Sequence, residues 1–169
     1  MFFAFLREKD VFYLYEQVKR NKSETELIEL IKSGRLSVNS LNKEKKTPLM
    51  HAIDLEFSKD CVKKLVELGS DVNAQDAEGM TSLHFSFYTD NHDLFDYLLN
   101  EAKADPKIEE NDGNSIINEC KDEAGRFLEI LQSSTNLGVS IYSEEESWET
   151  YDKIWEKHEI ISVKKVPFN

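Results

Sequence analysis

Cysteine is scarce in this chain of 169 residues, which holds only Cys61 and Cys120. They form no CxxC pair, and no histidine stands close enough in sequence to complete a usual zinc pattern. Both read as small core residues on helical faces, and a reducing compartment fits them. Long apolar runs are also missing. None approaches the roughly 18 residues needed to span a bilayer. Residues 1–6 are apolar, but Arg7, Glu8, Lys9 and Asp10 follow at once. A signal peptide has a basic segment, a longer apolar one and a small-residue cleavage site. None of these is present, and the chain starts at Met1. The expectation is an intracellular protein that is not secreted. It would sit in the cytoplasm or in an organelle-associated complex.

Basic charge is in deficit. Lys and Arg number 21 against 33 Asp and Glu, a net charge of −12. Such a surface repels phosphate backbones, so nucleic acid is not expected as a ligand. Either a basic protein surface is the natural partner, or the acidity only keeps the chain in solution. Catalytic signatures are missing as well. There is no Gly-rich phosphate loop and no nucleophile elbow. The histidines are His51, His84, His92 and His158; His51 and His92 are lone residues with no ligand partner in register, and the acidic residues are scattered as on solvated helix faces. The expectation is no enzyme, no metal, no cofactor and no small-molecule substrate.

What the chain does contain is an internal repeat. Thr47-Pro48-Leu49-Met50-His51-Ala52 leads to Leu65-Val66-Glu67-Leu68-Gly69-Ser70-Asp71-Val72-Asn73-Ala74. Gly79-Met80-Thr81-Ser82-Leu83-His84 leads to Leu98-Leu99 and Ala104-Asp105. Thr47 to Thr81 is 34 positions and Leu65 to Leu98 is 33. The one-residue difference falls near Phe57-Ser58-Lys59, where a turn between two helices belongs. A third copy follows at Asp112-Gly113-Asn114-Ser115-Ile116-Ile117, with Phe127 to Leu131 as its second stripe. A fourth lies upstream, where residues 27–34 match the stretch ending at Gly69 and Val38-Asn39 matches Val72-Asn73.

Local physics supports the same reading. Pro48 suits a first helical turn. Gly34, Gly69 and Gly113 fall where helices end or loops turn sharply. Val62, Leu65, Val66 and Leu68 share a helical face, as do Leu94, Phe95, Leu98 and Leu99. Val11, Leu14, Tyr15 and Val18, with Phe12 beside them, do the same for a first helix. One such helix pair cannot bury its apolar face alone, so at least three must stack.

These residues resemble the ankyrin repeat over about residues 8–135. Departures are Met50 in place of His, Ser82 in place of Pro, and Asp90-Asn91 in place of the usual Gly-His turn. The outer copies are degenerate, as terminal units needing a water-facing side tend to be. The resemblance implies an all-α solenoid of about four helix-turn-helix units, near 8–40, 41–74, 75–108 and 109–135. Residues 1–7 would form an apolar extension, and 136–169 an extra C-terminal helix with an extended tail. The His84 ring would tie neighbouring loops together. Leu65, Asp71, Val72 and Asn73 also resemble the pattern of asparagine hydroxylation in some ankyrin repeats.

The family's binding surface is the concave side. Carried onto this chain, its tips are Asn42, Lys43, Lys45 and Lys46; Ala77, Glu78 and Met80; Asn111, Asp112 and Asn114. Its inner-helix positions are Met50, Asp54, Phe85, Tyr88 and Thr89. Met80, Phe85 and Tyr88 would form an apolar patch between a basic and an acidic tip, and such a patch usually marks contact.

The ends carry further candidates. Phe2, Phe3, Phe5 and Leu6 either cover the end of the core or anchor a partner. Ser143-Glu144-Glu145-Glu146 is a capping box with acids at the positive end of a helix. Trp148, Tyr151, Ile154, Trp155 and His158 then share a face about 120° wide. That stripe either caps the last repeat or anchors in a partner groove. Residues 160–169, with Val163 and Phe168, could add to a sheet edge or simply trail. The functional expectation is a noncatalytic protein-protein interaction module, an adaptor or accessory subunit of a larger assembly. The alternative is a soluble regulator masking one target, such as a kinase or transcription factor.

Overall fold

The computed structural model describes residues 8–122 and 125–134. Among them the helices form four pairs. These are α1 (Glu8–Asn21) with α2 (Glu24–Lys32), α3 (Pro48–Asp54) with α4 (Lys59–Glu67), α5 (Ser82–Tyr88) with α6 (His92–Asp96), and α7 (Ile116–Asp122) with α8 (Arg126–Ser133). β pairing among the described residues is one isolated antiparallel bridge, Glu109 with Ser115. The fold is an all-α helical repeat.

Helices α2, α3, α4 and α6 begin where the sequence supplies a side-chain cap. The Ser23, Ser58 and Asn91 side chains accept from the backbone N–H of Glu26, Cys61 and Leu94, at 3.2, 3.2 and 3.1 Å. Each thereby satisfies an N–H that has no partner inside its helix. Thr47 caps α3 in the same way, accepting from Met50 N–H at 3.3 Å, with Pro48 in the first turn. One element departs from the plain helix expected for the second stripe of unit three. α6 runs on into a π-helical turn, Tyr97–Glu101, in which the Ala102 N–H reaches the Tyr97 carbonyl at 2.9 Å. The wider turn goes with burial of three successive side chains, Tyr97, Leu98 and Leu99.

The backbone repeats more faithfully than the sequence does. Among the described residues, every positive φ falls into one of three columns. Lys22, Glu56 and Asp90 make the turn within a pair, at 44°, 57° and 55°. Gly34, Gly69 and Lys103 end the second helix, at 72°, 94° and 63°. Lys45, Gly79 and Gly113 sit at the tips, at 58°, 82° and 84°. Members of a column are 34 residues apart, or 35 from Gly34 to Gly69. Glycine enters this region without a steric cost, while an L side chain costs about 1–2 kcal/mol. The column is therefore imposed by the repeat geometry even where Lys, Glu or Asp must bear it.

Stacking closes the core. α3 packs on α5 and α5 on α7, while α2 meets α4 and α6 meets α8. A single buried cluster runs from Leu14 to Leu131 and includes Leu49, Leu65, Leu83, Leu98 and Ile116, all fully buried. Each such side chain contributes about 1.5–3 kcal/mol of burial. Cys61 and Cys120 lie in this core with free thiols, and burial pushes the Cys61 thiol up to about 12. Tyr15 couples α1 to the next unit. Its hydroxyl donates to the Ser40 carbonyl at 2.8 Å and lies 3.2 Å from the Lys46 carbonyl, and burial raises its pKa well above the usual phenol range.

Candidate protein-binding surface

The three tips share one construction. Asn42 N–H donates to Lys46 C=O, Asp76 N–H to Met80 C=O, and Glu110 N–H to Asn114 C=O, at 3.0, 3.0 and 2.9 Å. In the first two a side-chain oxygen tightens the turn. Asn42 Oδ1 accepts from Glu44 and Lys46 N–H, and Asp76 Oδ1 from Glu78 and Met80 N–H, all within 2.8–2.9 Å. The tips then bond to each other. Ala77 N–H donates to Glu44 C=O, and Asn111 N–H to Glu78 C=O, both at 2.9 Å. Asn111 Nδ2 also reaches Ala77 C=O at 2.9 Å. The approach is close: a Cβ added to Gly79 would meet Asn111 N at 2.8 Å. Below the tips, Asn39 Oδ1 accepts from Asp71 N–H and Asn73 Oδ1 from Asp105 N–H, each at 2.8 Å. Backbone that would otherwise be loop is thus held as a ladder, which fixes the side chains it presents.

Two residues expected on this surface lie instead in the core. Met50 is fully buried, and its Sδ accepts from Thr47 N–H at 3.4 Å. It fills the place that His84 takes in the next unit, where Nδ1 accepts from Thr81 N–H at 3.2 Å. A thioether can replace the ring because the position needs one acceptor and apolar bulk. Phe85 is only 5% exposed, so it does not join an apolar contact patch. Lys46 covers it, with Nζ 4.8 Å from the ring centroid. Asp54 at 3.2 Å and Glu44 at 3.5 Å pin that ammonium. Burial works against the Lys46 charge, but the bond to Asp54 and the two carboxylates outweigh it and raise the pKa.

The other candidates stay accessible. Lys43, Lys45, Asp54, Ala77, Glu78, Tyr88, Asn111 and Asp112 are exposed, and Lys46 and Met80 are half-buried. Tyr88 is 51% exposed and rests edge-on against Phe87. Asp54 and Tyr88 occupy the same position of successive units, 34 residues apart. Phe2, Phe3, Phe5, Trp148, Tyr151, Trp155, Val163 and Phe168 lie outside the described residues. The Lys46–Asp54 pin and the left-handed Lys45 escaped sequence reasoning. Counting 34 back from Gly79 would have located Lys45.

Charge is segregated along the stack. Residues 8–46 carry nine basic and seven acidic side chains, whereas 75–134 carry four basic and fourteen acidic, net −10. Lys19 of α1 adds to the basic end and acts on His51 of α3. Burial holds His51 and His84 below the usual histidine range, and the Asn114 backbone and Asp76 partly offset this at His84. That places the His84 ring between its own Thr81 and the next tip. No group of three or more His, Cys, Asp or Glu side chains gathers to hold a metal among the described residues. Nor is any described helix long and apolar enough to cross a membrane.

The family model for ankyrin repeats, in three copies, matches residues 14–112, more than half the chain. The chain belongs to the ankyrin-repeat family. Ankyrin repeats are generally protein-protein interaction modules and typically noncatalytic. An ankyrin repeat-containing protein of Schizosaccharomyces pombe is 31% identical over 104 residues, covering 60% of this chain and 48% of that protein. An ankyrin repeat protein of Acanthamoeba polyphaga mimivirus is 28% identical over 108 residues, covering 63% of this chain and 26% of its own. The ankyrin match thus spans about half of one curated relative and a quarter of the other.

Proposed function

We propose that this chain is a noncatalytic protein-binding module serving as an adaptor or accessory subunit of a larger protein assembly. The observation that supports it is the ladder of tips. Three hydrogen-bonded loops and the inner helices behind them hold Lys45, Asp54, Glu78, Tyr88 and Asp112 in one rigid array over a continuous core. Rigid presentation lowers the ordering cost of binding. The arrangement suits reading a protein surface. Residues at the two ends, Phe2, Phe3, Phe5, Trp148, Tyr151, Trp155, Val163 and Phe168, supply a second contact with the assembly.

Quantitative affinity capture tests this with three proteins: the full chain, its Lys45→Glu/Tyr88→Ala variant, and a 7–159 fragment. The tip variant should retain its fold and lose defined partners by at least about 30-fold, the scale of a hot spot. A variant that keeps its partners while the trimmed fragment loses them would move recognition to the ends. Undiminished capture by both proteins would overturn the reading.

A further inference from the structure

The three tips differ in the sign of their charge. Residues 42–46 hold three lysines and one glutamate, whereas 76–80 and 110–114 hold Asp76, Glu78, Glu110 and Asp112 and no basic residue. The fold uses part of this charge. Lys46 is pinned by Asp54 and Glu44, and the Asp76 carboxylate closes its own turn. Lys45, Glu78 and Asp112 are exposed, and none of them forms an ion pair with a described residue. Arg20 extends the positive end. It is exposed, and it holds in α1 the place that Asp54 holds in α3 and Tyr88 in α5.

We propose that the concave face reads a partner segment of opposite polarity, with Lys or Arg seated at the second and third tips and carboxylates at the first. This rests on the concave face being the binding surface, and it specifies the chemistry and direction of what binds there.

Distance keeps the two poles separate. Tip one leads into α3 and tip three into α7, and α5 packs between those helices. At roughly 8–10 Å per helix the outer tips stand about 20 Å apart. The Debye length is about 8 Å at physiological ionic strength, so neither pole neutralises the other. The ladder fixes the spacing, because Ala77 and Asn111 each donate to a carbonyl of the tip before them. A partner laid the wrong way round would set its carboxylates against Glu78 and Asp112, and like charges brought together exclude it. A segment of uniform charge gains at one pole and loses at the other, whereas a segregated one gains at both. A second copy turned end for end has the right polarity, but it brings together two chains of net −12.

Two synthetic peptides of identical composition test this on the full chain. In one, a block of glutamates and a block of arginines flank a Ser-Gly spacer that sets their centres about 15–18 Å apart. In the other the same charges alternate. At low salt the segregated peptide should bind with a Kd at least about tenfold lower, read by NMR titration with shifts at both the Lys45 and Asp112 amides. Raising salt to about 1 M, where the Debye length is near 3 Å, should remove the preference. A nitroxide on the arginine end should broaden the Asp112 and Gly113 amides and spare Lys45. Lys45→Glu with Arg20→Glu should abolish the preference while leaving the melt unchanged. Adding Glu78→Lys and Asp112→Lys should restore it, with the broadening moved to the first tip. Equal affinity for the two peptides, no binding of either, or broadening at both tips would overturn the proposed polarity. So would a dimer, seen by sedimentation, that the segregated peptide does not dissociate. Affinity capture by Tyr88→Ala, which keeps both poles, reports on the face alone: partners lost there alongside equal peptide binding would keep the binding surface and remove only its polarity.

Discussion

Units two and three of the stack share one backbone and differ in much of their side-chain chemistry, buried as well as exposed. Thr47 and Thr81 open their inner helices, Glu56 and Asp90 make their turns, and Lys45 and Gly79 stand at their tips with φ of 58° and 82°. Yet unit two has Met50 where unit three has His84 and Pro48 where it has Ser82, both pairs buried, and Asp54 where it has the exposed Tyr88. The chemistry at a position can change completely while its geometry holds. What the geometry asks for is narrow: an acceptor for the Thr N–H, a tolerated left-handed residue, and apolar bulk between units. Different side chains can meet those demands, as Met50 and His84 do, and an exposed position such as that of Asp54 and Tyr88 is free of them.

The largest way to test that equivalence is through the core. Leu65 and Leu98 are both fully buried, and replacing either by Ala should cost about 2–5 kcal/mol in denaturant unfolding. If the units are equivalent, the two losses should be similar; a loss at one site alone would show that one unit holds the stack by itself. Tip geometry comes next. Gly79→Ala brings a Cβ against Asn111 N and forces a left-handed Ala, so it should cost at least about 2 kcal/mol, while Lys45→Ala should change stability little. Hydrogen exchange should show the Asn111 amide deprotected in the first variant only.

Protonation separates the units further. His51 and His84 are both buried, and burial depresses each below the ordinary value of 6.5. The unfolded chain therefore takes up protons that the folded chain refuses. Stability should be full above about pH 6.5 and fall as pH drops below it, until the folded-state values are reached. Melting between about pH 7.5 and 5 should follow this course, and His84→Met should flatten it to the share of His51. That substitution copies the solution unit two already uses, so the protein should remain folded at neutral pH. The smallest effect is the most specific. Lys45→Gly should raise stability by about 0.5–1 kcal/mol, and Gly79, already strain-free, offers no matching gain.

Much of this architecture was legible before any coordinates. The 34-residue spacing from Thr47 to Thr81 reports a repeat because each unit must present its core face in the same register as the last. The helical stripes holding Leu65, Leu94 and Leu98 marked the faces that stacking buries. The one-residue excess near Ser58 survives as the longer step from α3 to α4 than from α5 to α6. Less of the surface was legible. Met50 and Phe85 sit at the edge of a helical stripe, where periodicity alone does not say whether the neighbour covers them.

The sequence by itself determined the repeat, its caps and its buried stripes, because each depends on residues within one turn or one period. Only the tertiary structure decided which edge positions remain in contact with water. Lys46 lies over Phe85, 39 residues away, because Asp54 and Glu44 hold its ammonium there. Tyr15 reaches the carbonyls of Ser40 and Lys46, and Asn111 closes on the tip before it. Each of these contacts joins neighbouring units, and no helical period encodes how far one unit's loop leans over the next.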